Sequence, residues 1–148
     1  MKKLAILISG TLFSMAVMAA EDSWVKSGND RISCERINVG ISKAHIKLDN
    51  GEKMTMPVEQ INSYSEDGKI FERKMVYKNG KPTGHTAFMQ LMKIKGNLSL
   101  YKTTRFDSDL GTVVDQYNVY KGEDLHLALD DKTIPSVFNF FKIKWSYK

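Results

Sequence analysis

The stretch FMQLMKIKGNLSLYKTTRFDSDLGTVVDQYNVY, residues 88–120, decides the fold. It reads as three consecutive β-strands over residues 88–94, 98–106 and 112–120, joined by short turns. A strand sends successive side chains to opposite faces, so the two arms of a hairpin must place their apolar residues together. A two-residue loop Gly96-Asn97 would set Ile94 against Ser99 and Lys93 against Leu100, splitting the apolar sets. A three-residue loop Lys95-Gly96-Asn97 pairs Ile94 with Leu98 and Met92 with Leu100, and leaves Asn97 in a left-handed conformation that Asn tolerates. The facing argument therefore predicts the three-residue loop.

The same pattern extends outward. Residues 31–37 form a predicted strand in which Ile32 alternates with Cys34. Residues 42–48 place Ala44, Ile46 and Leu48 on one face, and residues 52–58 do the same with Met54, Met56 and Val58. A three-residue turn Asp49-Asn50-Gly51 between them pairs Ile46 with Met54 and Ala44 with Met56, with Gly51 at the position that wants positive φ. Pro57 belongs at a strand end, since it has no N–H to give. Residues 57–61 are expected to form one helical turn crossing between sheets, and Asp67-Gly68 a tight turn. Residues 70–77 form another strand, followed by the turn-rich segment 78–84, read as a longer hairpin loop. After residue 120, Lys121-Gly122-Glu123 turns the chain into residues 125–129, pairing Val119 with Leu125 and Tyr117 with Leu127. Residues 21–30 are polar apart from Trp24 and Val25 and are read as a loosely held N-terminal segment.

The C-terminal end changes character. Thr133 is positioned to cap a short helix from residue 134 to about 140, with Ile134, Val137, Phe138 and Phe141 at helical spacing. Phe141, Ile143, Trp145 and Tyr147 then alternate with Lys142, Lys144 and Ser146, which predicts a closing strand. The expected fold is mainly β: an antiparallel β-sandwich or partly closed barrel of about seven to nine strands, with a short C-terminal helical turn and closing strand. An outer-membrane barrel is disfavoured by a mean hydropathy of −0.34 and by an end on Lys148 rather than an aromatic residue.

Residues 1–20 read as a secretory signal peptide. Lys2 and Lys3 precede an almost wholly apolar run to Val17, and Ala19 and Ala20 stand before the polar Glu21-Asp22-Ser23. The apolar run is short for a membrane span of ~20 residues. Removing it leaves a single β-rich domain over residues 21–148. It also lowers the formal charge from +5 to +3, because the leader holds two lysines and no acid. Basic residues are dispersed, with no stripe or RNA-binding signature, so nucleic acid is not an expected partner. Nor is a membrane span expected after cleavage.

No catalytic, cofactor-binding or metal-binding residues are assigned. Asp107-Ser108-Asp109-Leu110-Gly111 with Asp115 has alternating carboxylates suited to Ca²⁺, but a glycine stands at the fifth place, where the EF-hand pattern needs a ligand. A polar turn is the better reading. His45, His85 and His126 have no local ligand spacing. The acid pairs Glu66-Asp67, Glu123-Asp124 and Asp130-Asp131 fall at predicted turns. Cys34 cannot form an internal disulfide, since it is the one cysteine, and it reads as a small buried hydrophobe. Met54, Met56, Met89 and Met92 lie on alternating apolar faces and serve as core filling ahead of a thioether metal site or an adaptable groove.

The segments Tyr77-Lys78-Asn79-Gly80-Lys81-Pro82-Thr83-Gly84 and Gly96-Asn97-Leu98-Ser99-Leu100-Tyr101-Lys102 resemble parts of small exported proteins of unknown function from Gram-negative bacteria. The first is also similar to a single MORN-type repeat unit. The resemblance implies an exported β domain and supplies no catalytic residues. The expected role is therefore a non-enzymatic domain in the periplasm or on the outer surface, binding a protein or an envelope component. The alternatives are a carrier of a small apolar ligand in a β-barrel cavity and an enzyme of unrecognised class. If the leader is read correctly, intact mass of the protein from the cell envelope gives a chain beginning at Ala20 or Glu21. Recovery of the full-length chain from the cytoplasm would remove the export reading.

Overall fold

A computed structural model describes residues 22–146. The expected leader and Tyr147 of the expected closing strand lie outside the described residues. The elements in order are β1 (Ser23–Ser27), β2 (Asp30–Val39), β3 (Lys43–Leu48), β4 (Lys53–Pro57), a 3₁₀ turn (Val58–Gln60), β5 (Ser63–Glu66), β6 (Lys69–Lys78), β7 (Lys81–Lys95), β8 (Leu98–Asp107), β9 (Thr112–Lys121), β10 (Asp124–Ala128) and α1 (Ile134–Phe140). The mainly β, antiparallel class holds. The strands do not divide into the two layers of a sandwich, and they exceed the seven to nine expected. All ten form one sheet in the order β10-β9-β8-β7-β6-β5-β1-β2-β3-β4.

The two extra strands are the segments that had looked irregular. β1 lies in the interior of the sheet, between β2 and β5, and its Val25 is wholly buried. β5 is four residues long and joins β1 to β6. Its predecessor, the 3₁₀ turn, is the helical turn expected for residues 57–61, but it carries the chain from the edge strand β4 to β5 within one sheet rather than between two sheets.

Turn chemistry corrects two registers. β7 and β8 pair Lys95 with Leu98, Ile94 with Ser99 and Lys93 with Leu100, so the loop is the two-residue Gly96-Asn97. Gly96, not Asn97, has the positive φ, which is the requirement of a type II′ hairpin turn. The conflict between the apolar sets is absorbed by a bulge, with Met92 the extra residue between Leu91 and Lys93. Leu91 then packs with Tyr101 on one face, and Met92 with Leu100 on the other. The turn after β9 behaves alike. Gly122-Glu123 is a two-residue loop, Leu125 pairs with Tyr120 and Leu127 with Val119, and a bulge at His126 restores the facing. Residues 78–84 are also tighter than a long loop. Asn79 and Gly80 both have positive φ, the type I′ condition, and β7 starts at Lys81. The Asp49-Asn50-Gly51 loop does have three residues, with Gly51 at φ 90° and the Ile46–Met54 and Ala44–Met56 pairs in place.

The sheet bends to one side in its first half and to the other side in its second. In the first half, one face carries Val25, Ile37, Ala44, Ile46 and Tyr64 into a core. The crossing segment covers it with Ile61, which is fully buried. Arg73 on β6 holds that cover in place. Its Nε donates to Ile61 O at 2.9 Å, and its guanidinium also donates to Val58 O. Phe71 and Phe88 close the core against Tyr64, Phe71 stacked at 4.9 Å and Phe88 edge-on at 5.1 Å.

In the second half, Met89, Tyr101 and Tyr120 form a core on the opposite face. Tyr120 Oη donates to Met75 O at 2.7 Å. β9 and β6 are three strands apart, about 14 Å in a flat sheet, so this bond exists only because β6–β10 curl. Lys74 closes the same curl. Its Nζ donates to Gly122 O and Glu123 Oε1, each at 3.3 Å.

α1 packs on the convex side of that curl. Ile134, Phe138 and Phe141 bury Leu100, Tyr117 and Val119 of β8 and β9. Thr133 stands at the N-cap as expected, but its side chain makes no capping bond to the helix, and Asp130 orders the turn that leads into it. Asp130 Oδ1 accepts the N–H groups of Lys132 and Thr133, each at 2.9 Å, and these bonds hold its carboxyl below the usual range. No closing strand follows among the described residues. Lys142 takes φ 59°, Ile143 N–H returns to Phe138 O at 2.9 Å, and Lys142 N–H to Asn139 O at 3.0 Å. That pair of bonds is a Schellman ending, with Ile143 packed beside Phe138 as the motif requires. Trp145 still lands on the core, edge-on to Phe138 at 5.1 Å.

The curl predicts an alkaline weakness. Burial, with a smaller contribution from Tyr77, pushes the Tyr120 hydroxyl up to about 12 from an ordinary 10. Its protonated form is the one the fold prefers, so this stability is present below pH 10 and is lost as pH rises toward 12. Tyr120→Phe should cost about 1–2 kcal/mol at neutral pH through the stranded Met75 carbonyl. It should also flatten the loss above pH 10. Urea melts of both proteins from pH 7 to 12 measure both effects, and equal slopes would show that Tyr120 does not carry the titration.

Candidate functional site

The inner face of the second curl is not completely filled. Between Tyr120 and the hairpin tips lies a cavity of about 470 Å³, within the range of small-molecule sites. Strand register explains its lining. Met89, Thr103, Gln116, Asn118 and Tyr120 fall on one face because β7, β8 and β9 pair in the registers described. The lining changes character along its length. At the inner end Met89, Tyr120, Leu125 and Val76 provide apolar wall. Toward the tips β8 adds Thr103 and then Arg105, and β9 adds Asn118 and then Gln116. Exposure increases in the same direction, from the buried Tyr120 and Asn118 to the exposed Arg105.

The inner end is sealed by rings. Tyr101 and Tyr120 meet edge-on at 5.4 Å, and Tyr77 meets Tyr120 at 6.3 Å. Behind them Lys74 lies with its Nζ 5.3 Å from the Tyr101 ring and 5.8 Å from that of Tyr120. Tyr101 Oη donates to Glu72 Oε1 at 3.2 Å. Burial and the Glu72 charge together drive the Tyr101 hydroxyl well above its ordinary value, so it stays a donor throughout the neutral range. Lys74 is 6% exposed, and its charge is met by a carbonyl, a carboxylate and two ring faces. A second cleft of about 620 Å³ opens on that side, lined by Lys26, Asn62, Glu72, Lys74, Glu123 and Asp124 among others. Its charges of both signs already face one another, and Lys74 serves there as a latch on the β9–β10 turn.

Apart from Met89, the candidate residues of the sequence lie away from this cavity. Asp107 is spent on its own turn, where Oδ1 accepts the N–H groups of Asp109 at 3.0 Å and Leu110 at 3.1 Å. Oδ2 of the same carboxylate lies 3.4 Å from Arg105, and Asp115 pairs across to Thr104 on β8. His45, His85 and His126 are exposed and lie on β3, β7 and β10. Among the described residues no three His, Cys, Asp or Glu side chains gather as metal ligands. Met54 and Met56 belong to the first core, and Met92 packs under α1. Met89 alone reaches the cavity. Arg105, Gln116 and Asn118 carry no local sequence signal, because only the pairing of β8 with β9 puts them on a common wall.

Comparison with protein-family models, with curated proteins and with solved structures finds no significant match to this chain.

Cys34 is 1% exposed on β2. Burial, with the nearby Asp49 and Glu66 charges, pushes its thiol up to about 11. A thiol so protonated and covered is a poor nucleophile. A soluble disulfide reagent at pH 8 should leave the folded protein unmodified and titrate one thiol once urea unfolds it. Rapid reaction of the folded protein would show that Cys34 is accessible.

Proposed function

We propose that this chain is an exported binding protein that holds a small, mainly apolar ligand within the curl of β6–β10. The observation that supports the reading is the cavity itself. It is a partly open cleft of about 470 Å³ that sets apolar walls beside a few convergent polar groups, the usual make-up of a ligand site. The leader-like pattern of residues 1–20 supports the exported part of this reading. No step of chemistry is assigned, and the role is capture and release.

A second reading, docking on a protein or envelope component, is favoured by one observation. Phe106 and Val113 are paired across the tip of the β8–β9 hairpin. They are 66% and 63% exposed, beside Leu110 at 68%. Phe106 and Val113 fall on the face opposite Thr103, Arg105 and Gln116, so the two readings are separable by mutation.

The neutral fluorophore N-phenyl-1-naphthylamine tests the first. Its emission should rise on adding the mature protein, with saturable micromolar binding. Ala87 lines the cavity, so Ala87→Trp should abolish the signal while circular dichroism stays native, and a Phe106→Ser, Val113→Ser double variant should leave it unchanged. Binding that survives Ala87→Trp, or no binding at all, would overturn the cavity reading. Loss in the tip variant alone would move the site to the hairpin.

A further inference from the structure

Among the described residues Arg105 is the one charged residue that lines the cavity, and no carboxylate lines it. It stands on β8 at the outer end, two residues beyond Thr103 and across from Val114, so its charge sits where the apolar wall gives out. Its present partner is a weak competitor. Asp107 Oδ2 approaches Nη2 at 3.4 Å, long for a charge-assisted bond, and the other oxygen of that carboxylate is occupied by the turn. The rest of the guanidinium fork is left for a planar acceptor. Gln116 and Asn118 add side-chain amides on the facing strand.

Resting on the cavity reading above, we infer that the ligand is an anionic amphiphile, with its apolar chain against Met89, Val76 and Leu125 and its carboxylate-like head held at the mouth by Arg105. A cationic head would meet the guanidinium in repulsion, and a neutral one would forgo the charge-assisted bond. Because Arg105 is exposed, the preference should be modest and sensitive to salt.

Three probes of one chain length test this at pH 8 by displacement of N-phenyl-1-naphthylamine: dodecanoate, dodecanol and dodecyltrimethylammonium. Dodecanoate should compete about three- to tenfold more tightly than dodecanol at low salt, with the ammonium weakest. Arg105→Gln should erase the difference between dodecanoate and dodecanol and leave dodecanol unchanged, which also controls for folding. Equal competition by dodecanoate and dodecanol in the parent protein would overturn the inference and leave the cavity reading standing. So would a preference that survives Arg105→Gln, or tightest binding of the ammonium. Failure of all three to displace the probe would overturn the cavity reading and this inference with it.

Discussion

A strand within a sheet has two faces, and each apolar face must find cover. In this chain β6 and β7 sit at the point where the cover changes sides, and their period-two alternation serves two cores at once. Phe71, Arg73 and Phe88 turn to the first half of the sheet, where the crossing segment lies over them. Glu72, Lys74 and Met89 turn to the second half, where β9 and β10 fold back. A ten-stranded sheet with one consistent curvature would leave one set in water. The reversal at β6 solves this, and the bonds from Arg73 to the crossover and from Tyr120 to Met75 O fix the sense of each bend.

Much of this was legible in the sequence, and the boundary of legibility is physical. The three central strands, the 3₁₀ turn, the Asp49–Gly51 loop with its register, and the short helix over 134–140 follow from alternation and turn residues. The registers after Ile94 and Tyr120 do not, because glycine position overrides apolar facing there. A Gly at the first place of a two-residue loop satisfies type II′ directly, and Gly28, Gly96 and Gly122 all have positive φ at that place. A bulge then absorbs the mismatch one or two residues along. β1 was hidden for a related reason. Ser23-Trp24-Val25-Lys26-Ser27 is short and polar, and only its neighbours on both sides make Val25 a core residue. The expected closing strand failed at a single residue. Alternation from Phe141 to Tyr147 fits a strand, but the Schellman bonds at Lys142 and Ile143 satisfy the helix end first.

The candidate site was illegible for a deeper reason. Its lining comes from five strands, and no two of its polar residues form a motif. Arg105, Gln116 and Asn118 look like ordinary outward positions on a solvated sheet. They share a wall only because β8 and β9 pair without a shift over their full length while β6, β7 and β10 each carry a register shift. A one-residue slip in any of these ladders would exchange lining for exterior.

Why the curl stops short of filling itself follows from what seals it. Tyr77, Tyr101 and Tyr120 are too large to interleave beyond their own ring contacts, and Tyr101 and Tyr120 are held from behind by Glu72, Met75 O and Lys74. Smaller aliphatic residues at these positions would let the strands close on one another. The buried Lys74 reinforces the effect. Its ammonium needs Gly122 O and Glu123, which sets the β9–β10 turn at the near end of the curl, while the hairpin tips at the far end are exposed. The curl is thus clamped at one end and open at the other, and a ligand entering from the tips would meet polar groups first and tyrosine rings last.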